Sequence, residues 1–237
     1  MIYSQILVKV PDILTSFKAG SYDYSNPSVK KANIGVAQQI YNNYRPSLEK
    51  WAKVYEIPVG IIVGFIATES GGTMAKPNQY QATGLMQVTP TSIFEVATKW
   101  GAEVKTPLPK DTIDLLNQRV PELLKSKTLS GSLRSKLLTL LQNDANFNIM
   151  AGTSILRWLL ERFSSVQTGG QLNKAMIGYN AGAYTRSISN GTKANKNPID
   201  STTLSRNPQV PAESRAYLLK MLGRDGFLSL IYKDKAI

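Results

Sequence analysis

One apolar segment, bounded by residues that favour the two ends of a helix, most strongly constrains the fold of this chain. The residues from Ile61 to Ala67 are almost wholly apolar, Pro58 precedes them, and Gly71-Gly72 follows them closely. Proline suits the first turn of a helix, where its missing N–H is not needed, and glycine suits the left-handed residue that ends one. The pattern predicts a short, buried helix with Glu69 in its last turn.

The chemistry expected of Glu69 depends on that position. Phe65 and Ile66 lie four and three residues earlier and share its helical face. An apolar neighbourhood raises the pKa of a carboxyl group, and the partial negative charge of a helix C-terminus acts in the same direction. A carboxyl that keeps its proton near neutral pH can act as a general acid. The alternative is a solvated carboxylate at the surface end of the helix, which is commoner for an isolated glutamate.

The composition excludes several kinds of chemistry. The chain has 237 residues, enough for one sizeable domain with an extension, and it contains neither His nor Cys. Catalysis by Ser-His or Cys-His pairs and metal sites containing His are therefore excluded. Carboxylates, Lys and Tyr remain as acid–base groups, and we expect no cofactor and no metal ion.

The chain is strongly basic, with 28 Lys and Arg against 16 Asp and Glu and a net charge of +12. Such a charge suggests an anionic partner, for example anionic lipid or an acidic cell wall, or it serves solubility alone. The cations are scattered, so we expect no sequence-specific binding of nucleic acid. The longest apolar run, Ile57–Thr68, is too short to cross a bilayer, and the N-terminus does not look like a signal peptide.

Helical periodicity extends over most of the chain. An apolar stripe predicts helix over 36–55, with a break near Pro46, and Asp144 is a plausible N-cap for a helix over 144–163. A further helix over 172–182 carries Tyr179 and Asn180 near its end, and a last helix runs from Pro211 to Gly223. We interpret residues 1–35 as an N-terminal extension, 183–210 as a basic loop and 223–237 as an unassigned tail.

Residues 84–90, with the sequence GLMQVTP, suit a backbone that approaches a ligand closely. Gln87 offers both a hydrogen-bond donor and an acceptor, and Met86 offers a soft apolar surface to a ligand. A short buried strand over Gly84–Val88 is the alternative. We therefore expect a mainly α-helical fold with a small strand region.

Five motifs occur in order: ATESGG (67–72), GLMQVTP (84–90), NIMAG (148–152), GYNAG (178–182) and PAESRAYL (211–218). Together they resemble the catalytic domain of the soluble lytic transglycosylases, which are relatives of goose-type lysozyme. Each motif alone is weak, but the ordered set spans most of residues 37–222. The resemblance implies a lysozyme-like catalytic domain over 36–222. Residues 102–143 are a departure from the family, a helical insertion that is a lid, a docking surface or, slightly favoured, a packed decoration.

The resemblance also implies an activity and a site. In that family a single glutamate, here Glu69, protonates the MurNAc–GlcNAc oxygen and then deprotonates the MurNAc C6 hydroxyl, giving a 1,6-anhydro product. The cleft residues carried over from the motifs are Ser70, Met86, Gln87, Tyr179, Asn180 and Glu213. Tyr179 is expected to reach the catalytic carboxyl or the acetamido group of the sugar. Glu213 equally suits a first helical turn, where a carboxylate complements the helix dipole.

The expected context is the bacterial cell wall. A wall-degrading enzyme without a signal peptide would be carried in a phage particle or released from the host cytoplasm through a pore. The expected partners are peptidoglycan glycan strands and, through 1–35 or 102–143, other proteins of a virion or a secretion machinery. Two alternatives remain open: a lysozyme-type hydrolase on the same fold, and a wall-binding or structural virion protein that does not cut.

Overall fold

The computed structural model describes residues 27–103, 107–162, 170–182, 208 and 210–237, and helices dominate these residues. In chain order they are α1 (Pro27–Tyr55), α2 (Val59–Ser70), α3 (Pro90–Glu103), α4 (Lys110–Arg119), a 3-10 turn (Leu123–Lys125), α5 (Gly131–Asn143), α6 (Ala145–Arg162), α7 (Gly170–Ala181), α8 (Ala212–Leu222) and α9 (Phe227–Lys233). The mainly helical fold is confirmed. The basic loop proposed over 183–210 lies largely outside the described residues.

Helix α6 forms the centre of the fold. Every residue from 147 to 161 is buried, and α1, α3, α5 and α7 all pack against this helix. Asp144 caps it as expected, because its Oδ1 accepts a hydrogen bond from the Phe147 N–H at 2.9 Å. The helix carries a buried ion pair, in which Arg157 Nε lies 2.8 Å from Glu161 Oε1. Arg157 also donates to the Tyr55 carbonyl, so the buried guanidinium links α6 to the end of α1.

Helix α1 is continuous, so the break expected at Pro46 is wrong. Proline in a helix interior removes one hydrogen bond and costs about 3 kcal/mol. Pro46 lies on the exposed face, where water can reach the carbonyl of Asn42 that loses its donor. Ile40 on one side and Leu48 and Trp51 on the other are buried in the same core, and this packing holds the two halves in line.

The boundary placed at residue 35 also lies inside this helix, which begins at Pro27. Asn33 fixes that end of α1, since its Nδ2 donates to the Asp225 carbonyl at 2.9 Å. The rest of the proposed N-terminal extension lies outside the described residues.

No single helix in the described part of the chain has the length and hydropathy to cross a membrane; Ser28–Tyr55 and Val59–Ser70 meet that test only together, as a pair bent by 119°.

The strand expected over Gly84–Val88 is wrong as well. The described residues contain no strand there, but a tight turn closed by one antiparallel bridge between Thr83 and Val88, whose N–H and C=O groups bond each other at 3.1 Å. Gly84 and Gln87 have φ values of +75° and +47°, so the chain reverses direction within four residues. Helix α3 then begins at Pro90, which leaves no room for a longer strand.

The insertion and the tail both belong to the core. The insertion forms α4, the 3-10 turn and α5, as the leucine spacing predicts, and its buried leucines pack it on α3 and α6: Leu115, Leu116, Leu123, Leu133, Leu137 and Leu141. The tail forms α9, which packs on α2 at two glycines. A Cβ on Gly64 would lie 2.5 Å from Leu228 Cδ2, so the absence of a side chain permits this close approach.

Candidate active site

The site is built on the C-terminal end of α2, which ends as the sequence predicts. Pro58 precedes the helix, and Gly71 adopts a left-handed conformation with φ +63°, its N–H donating to the Ala67 carbonyl at 3.2 Å. Residues 60–68 are buried, whereas Glu69 is partly exposed. A helix made of apolar residues and anchored in the core thus holds one carboxyl group where the fold exposes it only in part.

Three aromatic rings pack together beside Glu69, one from α2 itself and two from neighbouring helices. Phe65 is fully buried, and its ring makes edge-to-face contacts with Tyr179 of α7 at 5.0 Å and Tyr217 of α8 at 6.3 Å between centroids. The Tyr217 hydroxyl donates to Glu69 Oε1 at 2.7 Å. Helices α2, α7 and α8 therefore meet at this carboxyl group.

Tyr179 does not bond the carboxyl group in this structure. Its hydroxyl donates to the Met86 carbonyl at 3.0 Å. The expectation that Tyr179 bonds the carboxyl group of Glu69 is therefore wrong, while its expected contact with the acetamido group of the sugar stays a prediction. Tyr217 makes that contact instead. Sequence analysis missed this role, although Tyr217 lies within the PAESRAYL motif four residues after Glu213, on the same face of α8.

The surroundings of Glu69 raise its pKa to about 7. Burial is the largest cause, since removing water penalises the charged form. The Tyr217 hydrogen bond and the charge of Lys220 lower the pKa, and the charge of Glu213 raises it. The expected upward direction is confirmed. A carboxyl with a pKa near 7 is populated in both its acid and its base form at neutral pH, as general acid–base catalysis requires.

One face of α8 lies along the end of α2. Glu213, Tyr217 and Lys220 follow each other at intervals of four and three residues, so they share that face. Glu213 is exposed in the first turn, as expected. Lys220, which sequence analysis did not single out, donates from Nζ to the Thr68 carbonyl at 2.7 Å. The position of Lys220 one turn after Tyr217 was the signal that could have identified it.

The turn over 83–88 is held against the end of α2 by buried polar contacts. Asn148 of α6 accepts the Met86 N–H at 2.9 Å and donates to the carbonyls of Thr83 and Leu141 at 3.0 and 2.8 Å. The Ser70 hydroxyl donates to the Leu85 carbonyl at 2.7 Å. The turn is therefore fixed from two sides, and Ser70 acts as a link between the helix and the turn.

The expectation that the Met86 side chain presents a surface to a sugar is wrong. Met86 is fully buried, and its sulfur would lie 2.4 Å from a Cβ on Gly152, so the side chain fills the space that this glycine leaves. The turn instead presents Gln87, which is partly exposed. The Gln87 side-chain Nε2 donates to the Gly84 carbonyl at 3.0 Å, which orients the amide.

The remaining predicted residue, Asn180, joins two helices. Its Oδ1 accepts a hydrogen bond from the Ser214 hydroxyl at 2.7 Å, which ties the end of α7 to the start of α8. The structure thus brings Glu69, Ser70, Gln87 and Tyr179 to one region around the α2 end, with Asn180 at the junction of α7 and α8. Among the described residues, no group of three or more Asp or Glu side chains is placed to hold a metal ion.

Comparison of the chain with protein-family models, with curated proteins and with solved structures found no match. The residues of the site and the ordered motifs that carry them are therefore the observations that bear on function.

Proposed function

We propose that this chain is a peptidoglycan lytic transglycosylase with a lysozyme-like fold, in which Glu69 is the single acid–base group. The observation that carries the proposal is the state of Glu69. Its carboxyl group lies at the end of a buried helix, accepts a hydrogen bond from Tyr217, and has its pKa raised to about 7 by burial. The resemblance of the five ordered motifs to that family supports this role, because the ATESGG motif that holds Glu69 resembles the segment with the family's catalytic glutamate.

The proposed reaction uses that one group twice. Protonated Glu69 gives its proton to the oxygen between MurNAc and GlcNAc, the bond from this oxygen to MurNAc C1 breaks, and GlcNAc leaves with a new hydroxyl group. The Glu69 carboxylate then takes the proton of the MurNAc C6 hydroxyl as its oxygen bonds to C1. The product is a 1,6-anhydro sugar, Glu69 is again protonated, and no water is consumed. The Tyr217 hydroxyl stabilises the carboxylate between the two steps.

Substrate contacts are assigned to side chains around the α2 end. Gln87, oriented by its bond to the Gly84 carbonyl, offers donors and an acceptor to sugar hydroxyl and amide groups. The Tyr179 ring and Asn180 lie partly exposed on α7, and Glu213 is exposed on α8. Ser70 contributes through the turn that it holds. The net charge of +12 suits binding to an acidic cell wall.

A hydrolase on the same fold is the second candidate, and Glu213 is the observation in its favour. Glycoside hydrolases commonly need two carboxyl groups, and the charge of Glu213 is close enough to raise the pKa of Glu69. Replacing Glu213 by Gln discriminates between the two. A transglycosylase that uses Glu69 alone still forms anhydro ends in Glu213→Gln, at a rate reduced only by the lost substrate contact, whereas an enzyme that needs both carboxylates forms no product.

A non-catalytic wall-binding role has less support. A displaced Glu69 or a cleft filled by the insertion would favour it. Tyr217 holds Glu69, and α5 packs on α3 and α6, while its Arg134 donates to the side chains of Gln81 and Thr91 at 3.3 and 3.2 Å.

The test of the proposed activity is the release of soluble fragments from purified peptidoglycan. The wild-type protein should release them, and Glu69→Gln should not, although it should fold as judged by circular dichroism. Glu122→Gln is the matched control, because Glu122 is a partly exposed carboxylate in the insertion that pairs with Lys136. Full activity of Glu69→Gln would contradict the assignment of Glu69 as the acid, and an inactive wild-type protein would support a binding or structural role.

A further inference from the structure

The ammonium group of Lys220 binds a backbone carbonyl at the C-terminal end of α2, the helix that carries Glu69. The last carbonyls of a helix have no partner within it. In α2, the Ala67 carbonyl accepts the Gly71 N–H, and the Ser70 carbonyl accepts the Thr73 N–H. The Thr68 carbonyl, adjacent to Glu69, accepts its hydrogen bond from Lys220, which comes from a different helix.

We propose that Lys220 is a positioning residue for Glu69: it holds the last turn of α2 through the Thr68 carbonyl and places a positive charge beside the carboxylate that remains after the proton is given up. This inference deepens the proposed function and rests on it. In the reaction, Glu69 must be an acid first and a base second. A nearby cation stabilises the intermediate carboxylate and offsets the partial negative charge of the helix end.

Four side chains on α7 and α8 face Glu69, and their charges and hydrogen bonds set how readily its carboxyl group ionises. From α8 they are Glu213, Tyr217 and Lys220, and from α7 the facing group is Tyr179. Glu213 opposes the carboxylate, and Lys220 favours it. The two charges lie on one helical face, on either side of Tyr217, and both residues are exposed, so their effects should be moderate and sensitive to salt.

The surroundings of Lys220 make it open to substitution. Lys220 lines a cavity of about 380 Å³, together with Val29, Asn33, Leu219 and Asp225. A side chain of similar length therefore fits without displacing α8. Lys220→Met removes the charge and the donor but keeps the length, Lys220→Arg keeps the charge, and Glu213→Gln removes the opposing charge.

The experiment measures the ionisation of Glu69 directly, by NMR titration of the protein labelled with carbon-13 in its Glu carboxyl groups, with Glu69→Gln to assign the resonance. Lys220→Met should lower the ratio of ionised to protonated Glu69 at pH 7 by a factor of about two to five, the range of an exposed charge pair. Lys220→Arg should restore the wild-type ratio, and Glu213→Gln should change it in the opposite direction. Added salt of about 0.5 M should reduce these differences.

Kinetics give the second measurement. In Lys220→Met the alkaline limb of the pH–rate profile should move to higher pH and the maximal rate should fall, whereas a merely structural loss would lower the rate at every pH alike. An unchanged Glu69 titration in Lys220→Met and Glu213→Gln, with the wild-type protein still cutting peptidoglycan, would overturn the inference and leave the proposed function standing. The expected titrations in a protein that cuts nothing would contradict the proposed function, and with it the catalytic meaning of Lys220. Should Lys220→Met fail to fold, Lys220→Gln, which also removes the charge, gives the same titration test: an unchanged Glu69 titration in that variant would overturn the inference.

Discussion

Replacing Glu69 by Gln should stabilise the protein, and the gain should depend on pH. The pKa of Glu69 is about 7 in the folded protein against an ordinary value of 4.5. At 1.36 kcal/mol for each pKa unit, this difference corresponds to about 3 kcal/mol, and the partial exposure of Glu69 reduces the figure to about 2 kcal/mol. The glutamine keeps an oxygen that accepts the Tyr217 hydrogen bond but carries no charge that burial penalises.

The sign follows from where the proton is held. Below about pH 4.5 Glu69 is protonated in both states, so the variant and the wild-type protein should differ little. Between about pH 4.5 and 7 the unfolded chain ionises while the folded protein keeps its proton, so the wild-type free energy of unfolding falls as pH rises. Above about pH 7 the difference should be constant. Urea denaturation of both proteins at pH 4, 6 and 8, followed by circular dichroism, measures it.

Glu122→Gln provides the control of opposite sign. Lys136 lowers the pKa of Glu122 through a hydrogen bond, so the ionised form is favoured in the folded protein and its loss should be slightly destabilising at neutral pH. A Glu69→Gln variant whose stability relative to wild type stays the same from pH 4 to 8 would refute the claim that burial penalises the Glu69 carboxylate.

Three other sites lead to further predictions. Tyr217→Phe should raise the pKa of Glu69 and lower the rate about tenfold or more, since it removes a hydrogen bond to the carboxylate; a pH–rate profile like that of wild type would contradict this. Asn148→Ala should destabilise the fold by about 2 kcal/mol or more, because the Met86 N–H and the Leu141 carbonyl lose the partner that Asn148 supplies, and the Thr83 carbonyl keeps only its bond to the Val88 N–H; urea unfolding measures it, and a loss below about 1 kcal/mol would contradict the role of Asn148 in holding the turn. Gly84→Ala should destabilise strongly, because φ is +75° and a Cβ would lie 2.5 Å from a backbone oxygen, whereas Gly35→Ala, with open space, should stabilise α1 by up to about 1 kcal/mol; similar melting temperatures for the two would refute this contrast.

The end of α2 could be predicted because its signals are local. Pro58 and Gly71 act on their own backbone, and the apolar residues between them reveal burial without knowledge of the partner. The direction of the Glu69 pKa followed from the same segment. Pro46 misled for the complementary reason: whether a helix continues through a proline depends on the packing of both halves, which is a tertiary property.

The contacts around Glu69 could not be predicted because they join distant segments. Tyr179 and Tyr217 are equally plausible partners in sequence, and only the packing of α7 and α8 on Phe65 decides that Tyr217 reaches the carboxyl. The burial of Met86 depends on the space beside Gly152, 66 positions later in the chain. The apolar residues of α9 are present in the sequence of the tail, but the surface of α2 at Gly60 and Gly64 that they pack against is visible only in the fold.

The central claim is that Glu69 alone cleaves the glycan without water, and the fragments released in heavy-oxygen water test it most directly. The digest is analysed by mass spectrometry, with Glu69→Gln and a lysozyme as controls. The wild-type protein should release fragments that are lighter by one water than hydrolysis products and carry no heavy oxygen at the new MurNAc end. The Glu69→Gln protein should release no fragments. Reducing-end fragments that carry one heavy oxygen would contradict the account, and would identify a hydrolase in which Glu213 is the first carboxylate to test.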